Sequence, residues 1–125
     1  MDPYTISDAE SVVMHALWDA GEATAEDLIA AVAAPNGWAE PTVRTLINRL
    51  LGKGAIAAER EGRRYRYRPL LTRAAWVEAQ SRGIVDRVFG GRIAPLVAHF
   101  GEKGRLTRAD IDELRKPIED FDDGR

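Results

Sequence analysis

Apolar residues in the first half of the chain recur at helical spacing in three successive blocks. In the first, Val12, Val13, Ala16 and Leu17 follow Ser7-Asp8-Ala9-Glu10, where a serine and a glutamate three residues on can satisfy each other's backbone N–H groups; Gly21 closes the block, predicting a helix over about residues 7–20. Thr24 with Asp27 repeats the cap ahead of Leu28, Ile29 and Val32, and this shorter stripe is expected to stop before Pro35-Asn36-Gly37. A third helix opens near Pro41, where the missing N–H would be unbonded anyway, and runs to Gly52 or Lys53.

The period then changes from helix to strand. Ala55 to Arg60 is the weaker segment, whereas Arg64-Tyr65-Arg66-Tyr67-Arg68 alternates strictly, with the tyrosines on an inward face and the arginines opposite. Glu61-Gly62-Arg63 supplies the turn of a hairpin, and Pro69 stops its second strand. From Thr72 to about Phe89 a long helical pattern returns (Trp76, Ile84, Val85, Val88) until Gly90-Gly91; Ile93, Leu96, Val97 and Phe100 make a fifth, short helix. Thr107-Arg108-Ala109-Asp110 caps a sixth. There Ile111, Leu114, Ile118 and Phe121 are spaced 3, 4 and 3 apart, the narrow seam of a helix that packs on another helix, and Pro117 is expected to interrupt or end it. The acidic end, Glu119 to Arg125, is expected to fray in part.

Three helices followed by a hairpin is the order of a winged helix-turn-helix. The expected fold class is therefore mainly α with a small β-hairpin wing: a winged helix-turn-helix over residues 1–70, followed by a C-terminal helical region over residues 71–125.

Charge sharpens this picture. The 125 residues carry a net charge of −2, but no Lys or Arg precedes Arg44, and residues 42–68 then hold eight (Arg44, Arg49, Lys53, Arg60, Arg63, Arg64, Arg66, Arg68) against Glu59 and Glu61, a local balance of +8 − 2 = +6. Such focused positive charge is what a polyanion-binding surface carries. The first 43 residues contribute acids only (Asp2, Asp8, Glu10, Asp19, Glu22, Glu26, Asp27, Glu40); most are expected to face away from the polyanion, with Glu40 the exception.

At 100° per residue, Val43, Leu46, Ile47, Leu50 and Leu51 of the third helix fall in one half of the circumference, and Thr42, Arg44, Thr45, Asn48 and Arg49 in the other. Arg can read guanine, Asn adenine, and Thr a thymine methyl or a phosphate. Most polar helix faces are merely solvated. The hairpin shifts the balance, because Arg63, Arg64 and Arg66 follow the helix where a wing would lie along the neighbouring backbone or minor groove. The same face would also suit a winged helix that docks an acidic protein partner, and a small-molecule-responsive regulator stays open as well.

Other chemistries find little footing. Without cysteine there is no disulfide, thiolate site or catalytic thiol. His15 and His99 have no third ligand at a metal-binding spacing, and no nucleophile–base pair or phosphate-cradling glycine loop occurs, so a non-enzyme without metal or cofactor is expected. Trp18, Trp38 and Trp76 read as core or interface anchors. The absence of a long apolar run points to a soluble cytoplasmic protein.

Ile6 to Glu10, Val13 to Trp18, Gly37-Trp38, Thr42 to Leu50, Lys53-Gly54 and Gly62 to Tyr67 resemble the penicillinase-repressor (BlaI/MecI) family, and the likeness continues through Gly90-Gly91, Leu96 to Phe100 and Asp112 to Arg115. The resemblance implies a homodimeric winged-helix repressor, with a winged helix-turn-helix DNA-binding domain over residues 1–70 bound to double-stranded DNA at a palindrome of two half-sites and a C-terminal helical dimerisation region over residues 71–125. Regulation of β-lactamase or related stress genes is the corresponding expectation. The DNA contacts it suggests are Thr24, Thr42, Arg44, Thr45, Asn48, Arg49, Lys53, Arg63, Arg64 and Arg66; the dimer contacts are Trp76, Ile84, Val88, Leu96, Val97, Phe100, Ile111, Leu114 and Ile118. Where the family often has Ser-Pro-Lys, this chain has Ala39-Glu40-Pro41, which removes a helix cap and a basic phosphate ligand; either the affinity is lower or the contact is supplied elsewhere, for instance by Thr24 and the amino end of the second helix. In antibiotic-responsive members a membrane metalloprotease sensor triggers cleavage of an Asn-Phe bond; the matching bond here is His99-Phe100.

Overall fold

The computed structural model describes residues 5–123. Its elements are α1 (Asp8–Ala20), β1 (Ala23–Thr24), α2 (Ala25–Asn36), α3 (Glu40–Lys53), β2 (Ile56–Glu61), β3 (Arg64–Pro69), α4 (Arg73–Val88), α5 (Ile93–Glu102) and α6 (Arg108–Asp123). Both N-terminal capping boxes form: Ser7 Oγ accepts from the Glu10 amide at 3.1 Å while Glu10 Oε1 accepts from the Ser7 amide at 2.6 Å, and Thr24 and Asp27 do the same for α2 at 3.2 and 3.0 Å. A third reciprocal pair, Thr107 with Asp110, opens α6.

The chain divides into two compact units, Met1–Ala79 and Gln80–Arg125. In the first, Val13, Met14 and Leu17 of α1, Leu28 and Val32 of α2, and Val43, Leu46, Ile47 and Leu50 of α3 close into one dry core, with Ile56 and Leu71 at its edge. Leu51, expected in that core, packs against it while partly exposed.

The sheet has the order β1-β3-β2, all antiparallel, so β3 is central. Glu61 pairs with Arg64 across a two-residue loop, Gly62-Arg63, and Gly62 takes the positive φ of 65° that such a tight hairpin needs at its first loop position. β1 was not expected; two residues are too short to show a period, and Ala23 and Thr24 pair with Tyr67 and Arg66. Tyr67 packs against the core as expected, whereas Tyr65, near the other end of the strand, is 48% exposed and does not.

The first unit extends past residue 70 for three physical reasons. Leu71 is buried, its amide and that of Leu70 both donate to Ala55 O, and the Trp18 indole donates to Leu71 O at 2.8 Å. The start of α4 is bound in as well: the Trp76 ring lies 5.6 Å from Trp18 and 5.3 Å from His15, and Arg73 pairs with Asp19 at 2.7 Å. Trp76, expected at a dimer interface, thus packs in an aromatic cluster with Trp18 and His15 of the first unit.

In the second unit, Gly90 and Gly91 separate α4 from α5 with positive φ values of 61° and 80°. Pro117 does not end α6, which continues to Asp123. A proline removes one N–H from the ladder, and the flanking turns hold the helix together. Of the acidic end, Gly124 and Arg125 lie outside the described residues. Among the described residues of this unit none is buried, and Ile84, Val88, Ile93, Val97, Phe100, Leu114, Ile118 and Phe121 are exposed.

Candidate nucleic-acid interface

α3 begins without a side-chain cap, because Ala39 occupies the N-cap position and has no group to offer. It ends at Gly54, whose positive φ of 77° lets the Gly54 and Ala55 amides fold back on the last carbonyls. Between these ends the helix is two-faced. Val43, Leu46, Ile47 and Leu50 are buried, and Thr42, Arg44, Thr45, Asn48 and Arg49 are all exposed. Thr45 Oγ1 donates to Pro41 O at 2.9 Å within the same helix.

Asn48 stands between two surface grooves. One, of about 580 Å³, is lined by Ser7, Glu10, Thr45, Asn48, Arg49, Gly52 and Lys53. The other, of about 110 Å³, is lined by Ala25, Arg44, Ile47, Asn48 and Tyr67. On the wing Arg63 and Arg64 are exposed at the hairpin tip. Among the described residues, Arg49 and Arg63 form no ion pair, which leaves both guanidinium groups available to an incoming anion.

Two of the residues expected to touch DNA are turned inward. Thr24 is only 3% exposed, its hydroxyl spent on the α2 cap and its backbone on β3, so its side chain cannot stand in for the phosphate ligand that Ala39-Glu40 fails to supply. Lys53 reaches back across the core edge: its ammonium donates to Glu10 Oε1 and to Thr5 O, and its side chain is 19% exposed. Glu10, at 2% exposure, needs that charge. Burial pushes the Glu10 carboxyl up, but hydrogen bonds from Lys53 and Ser7 and the charge of Lys53 outweigh it, leaving the group below its ordinary range.

The acids of the N-terminal segment do not all face away from the basic stretch. Glu26 lies 3.7 Å from Arg44, Glu10 holds Lys53, and Asp27 and Glu22 act electrostatically on Arg66. On the wing Glu61 takes the Arg66 Nε–H at 2.7 Å; that bond and the Arg66 charge draw the Glu61 carboxyl down and push the guanidinium up. Glu26 and Glu61 are the site residues that sequence reasoning missed. Helical spacing places a residue on a face but does not say which neighbouring helix supplies its partner.

Residues 6–120 match the Penicillinase repressor family. The chain belongs to that family. It is 30% identical over 115 residues to the penicillinase repressor of Bacillus licheniformis, covering 92% of this chain and 90% of that one. It is 33% identical over 112 residues to the methicillin resistance regulatory protein MecI of Staphylococcus aureus, covering 90% and 91%. Among solved structures, the DNA-binding domain of the repressor BlaI superposes with a TM-score of 0.55 at 30% identity, covering 60% of this chain and 93% of that domain. The penicillinase-repressor fold, a winged helix-turn-helix, is thus the fold of the first unit.

No helix among the described residues is long and apolar enough to cross a membrane, and no three His, Asp or Glu side chains there gather as metal ligands.

Proposed function

We propose that this protein is a transcriptional repressor that binds palindromic operators as a homodimer in the cytoplasm, docking α3 of each copy in a major groove with the hairpin on the adjoining backbone. The observation that carries the reading is the exposed face of α3, where Arg44, Thr45, Asn48 and Arg49 stand together on the same unit as the Arg63-Arg64 tip. Its relatives are named as repressors of penicillinase and regulators of methicillin resistance, and genes of β-lactam or related stress response are the corresponding targets here.

Dimerisation falls to the second unit, whose apolar side chains have no core of their own to enter. Control by a membrane metalloprotease sensor fits the same region. The His99-Phe100 bond lies inside α5, and both carbonyls accept backbone hydrogen bonds, from Lys103 and Arg105. Cleavage there requires α5 to unwind first, so the protease step is coupled to loss of helix rather than to a ready-made loop.

Fluorescence anisotropy on a palindromic duplex tests the repressor reading. The affinity should fall with salt, with a log–log slope of about −0.9 for each phosphate neutralised. Binding without a salt slope, or none at low salt, contradicts it.

A further inference from the structure

The ion pair between Arg44 and Glu26 joins the exposed face of α3 to the first turn of α2, and it bears on how a phosphate-driven encounter is kept apart from a sequence-driven one. Arg44 Nη2 lies 3.7 Å from Glu26 Oε1, with the two side chains 50% and 60% exposed. Arg44 shares a wall of the 110 Å³ groove with Asn48, one turn further along α3, and with Ala25, the residue before Glu26. When a helix-turn-helix docks, the DNA backbone passes the helix preceding the reader, and a helix amino end attracts phosphate through its free N–H groups. Glu26 puts a carboxylate at that end, in the first turn of α2.

We propose that Glu26 is a positioning residue that holds Arg44 toward base edges and denies it to phosphate. This rests on the DNA-binding reading above. A lone arginine at this place would take any phosphate that came near, strengthening binding to every sequence alike. With Glu26 beside it, a phosphate must displace one anion and lie close to it, an unfavourable like-charge contact. A guanine edge makes no such demand, because its two acceptors carry no net charge and can take the guanidinium in a bidentate pair. The 3.7 Å separation and the exposure of both partners make the pair weak enough to exchange for such a contact.

The first turn of a helix favours an acid in any case, so the test must separate positioning from simple charge. A palindromic duplex selected by the unsubstituted protein from a randomised pool, and a scrambled duplex of equal length and composition, serve as probes. Glu26→Gln should tighten binding to the scrambled duplex by about fivefold, the scale of an exposed ion pair, and to the selected duplex by less than about twofold. In an Arg44→Ala background, Glu26→Gln should shift both duplexes equally, because the group it positions is gone. Equal tightening on both duplexes in the Arg44 protein, or the same loss of discrimination with and without Arg44, would overturn the proposal while leaving DNA binding intact. Failure of the unsubstituted protein to select or bind any duplex would overturn the DNA-binding reading as well, a distinguishable result.

Discussion

The two units use similar apolar material to opposite ends. In Met1–Ala79, the residues at helical spacing turn toward one another until Val13, Met14, Leu17, Val43 and Leu50 have no exposure, and even a charged pair, Glu10 with Lys53, is drawn into the edge of the core and satisfied there. In Gln80–Arg125 the corresponding stripes stay at the surface, with Val88 at 65% and Ile118 at 62% exposure. Each such side chain gains about 1.5–3 kcal/mol on full burial. The first unit closes its core as one copy; in the second the apolar stripes enter no core among the described residues, and in the dimer proposed above a second copy of the same surface would cover them in a two-fold symmetric contact.

Substitutions on the two sides of this contrast should behave differently. In the proposed dimer Ile118→Asp would place a charge in the seam twice over, once per copy, and should weaken self-association by about 3–6 kcal/mol, more than a hundredfold in the dissociation constant. Sedimentation velocity would show it, and the unfolding of the first unit should be unaffected. Leu50→Ala empties part of a closed core and should cost the first unit roughly 3–4 kcal/mol in denaturant melts at any protein concentration. If its effect vanished at high concentration, the claim that this core is complete in one copy would fail.

Lys53→Met leaves Glu10 buried and unpaired, at a cost of about 3 kcal/mol at neutral pH. The cost should shrink in acid. The Glu10 carboxyl is depressed in the folded protein relative to its ordinary value of 4.5, so the stabilisation from its charge is complete above that value and lost as pH falls through the lower folded one. A difference between Lys53→Met and the unsubstituted protein that stayed constant down to full acid would contradict the pairing. Smaller still are the effects expected on the exposed face of α3, the proposed DNA-reading surface. Asn48→Ala should cost about 1–3 kcal/mol at the base pair it reads and little elsewhere. Arg63→Ala should weaken all sequences alike and lower the salt slope by about 1.

The same contrast explains what the sequence made legible. Helices α1 and α2 could be placed because caps, apolar spacing and terminal glycines agree along them, although α2 runs on through Pro35 to Asn36, past its expected stop, because Gly37 rather than the proline ends it. The third helix, α3, has no side-chain cap; it was marked by Pro41 and its apolar spacing, and its two faces followed from the 100° rule. What spacing does not carry is the identity of a partner on another element. Thr24 and Lys53 have polar side chains at the edge of a basic surface, yet a cap and a buried carboxylate claim them. Trp76 likewise sits in a helix that continues into the second unit, and only the position of Trp18 and His15 shows which core it joins. β1, two residues long, exists solely because β3 offers it an edge.

Sedimentation equilibrium of the full chain at micromolar concentration bears most directly on the division of labour between the units. The expected result is a species of twice the 13.8 kDa chain mass that returns to the single-chain mass when Ile118 is replaced by Asp. A chain that stays at 13.8 kDa into the tens of micromolar range, or a dimer that survives that substitution together with Val88→Asp, would contradict it.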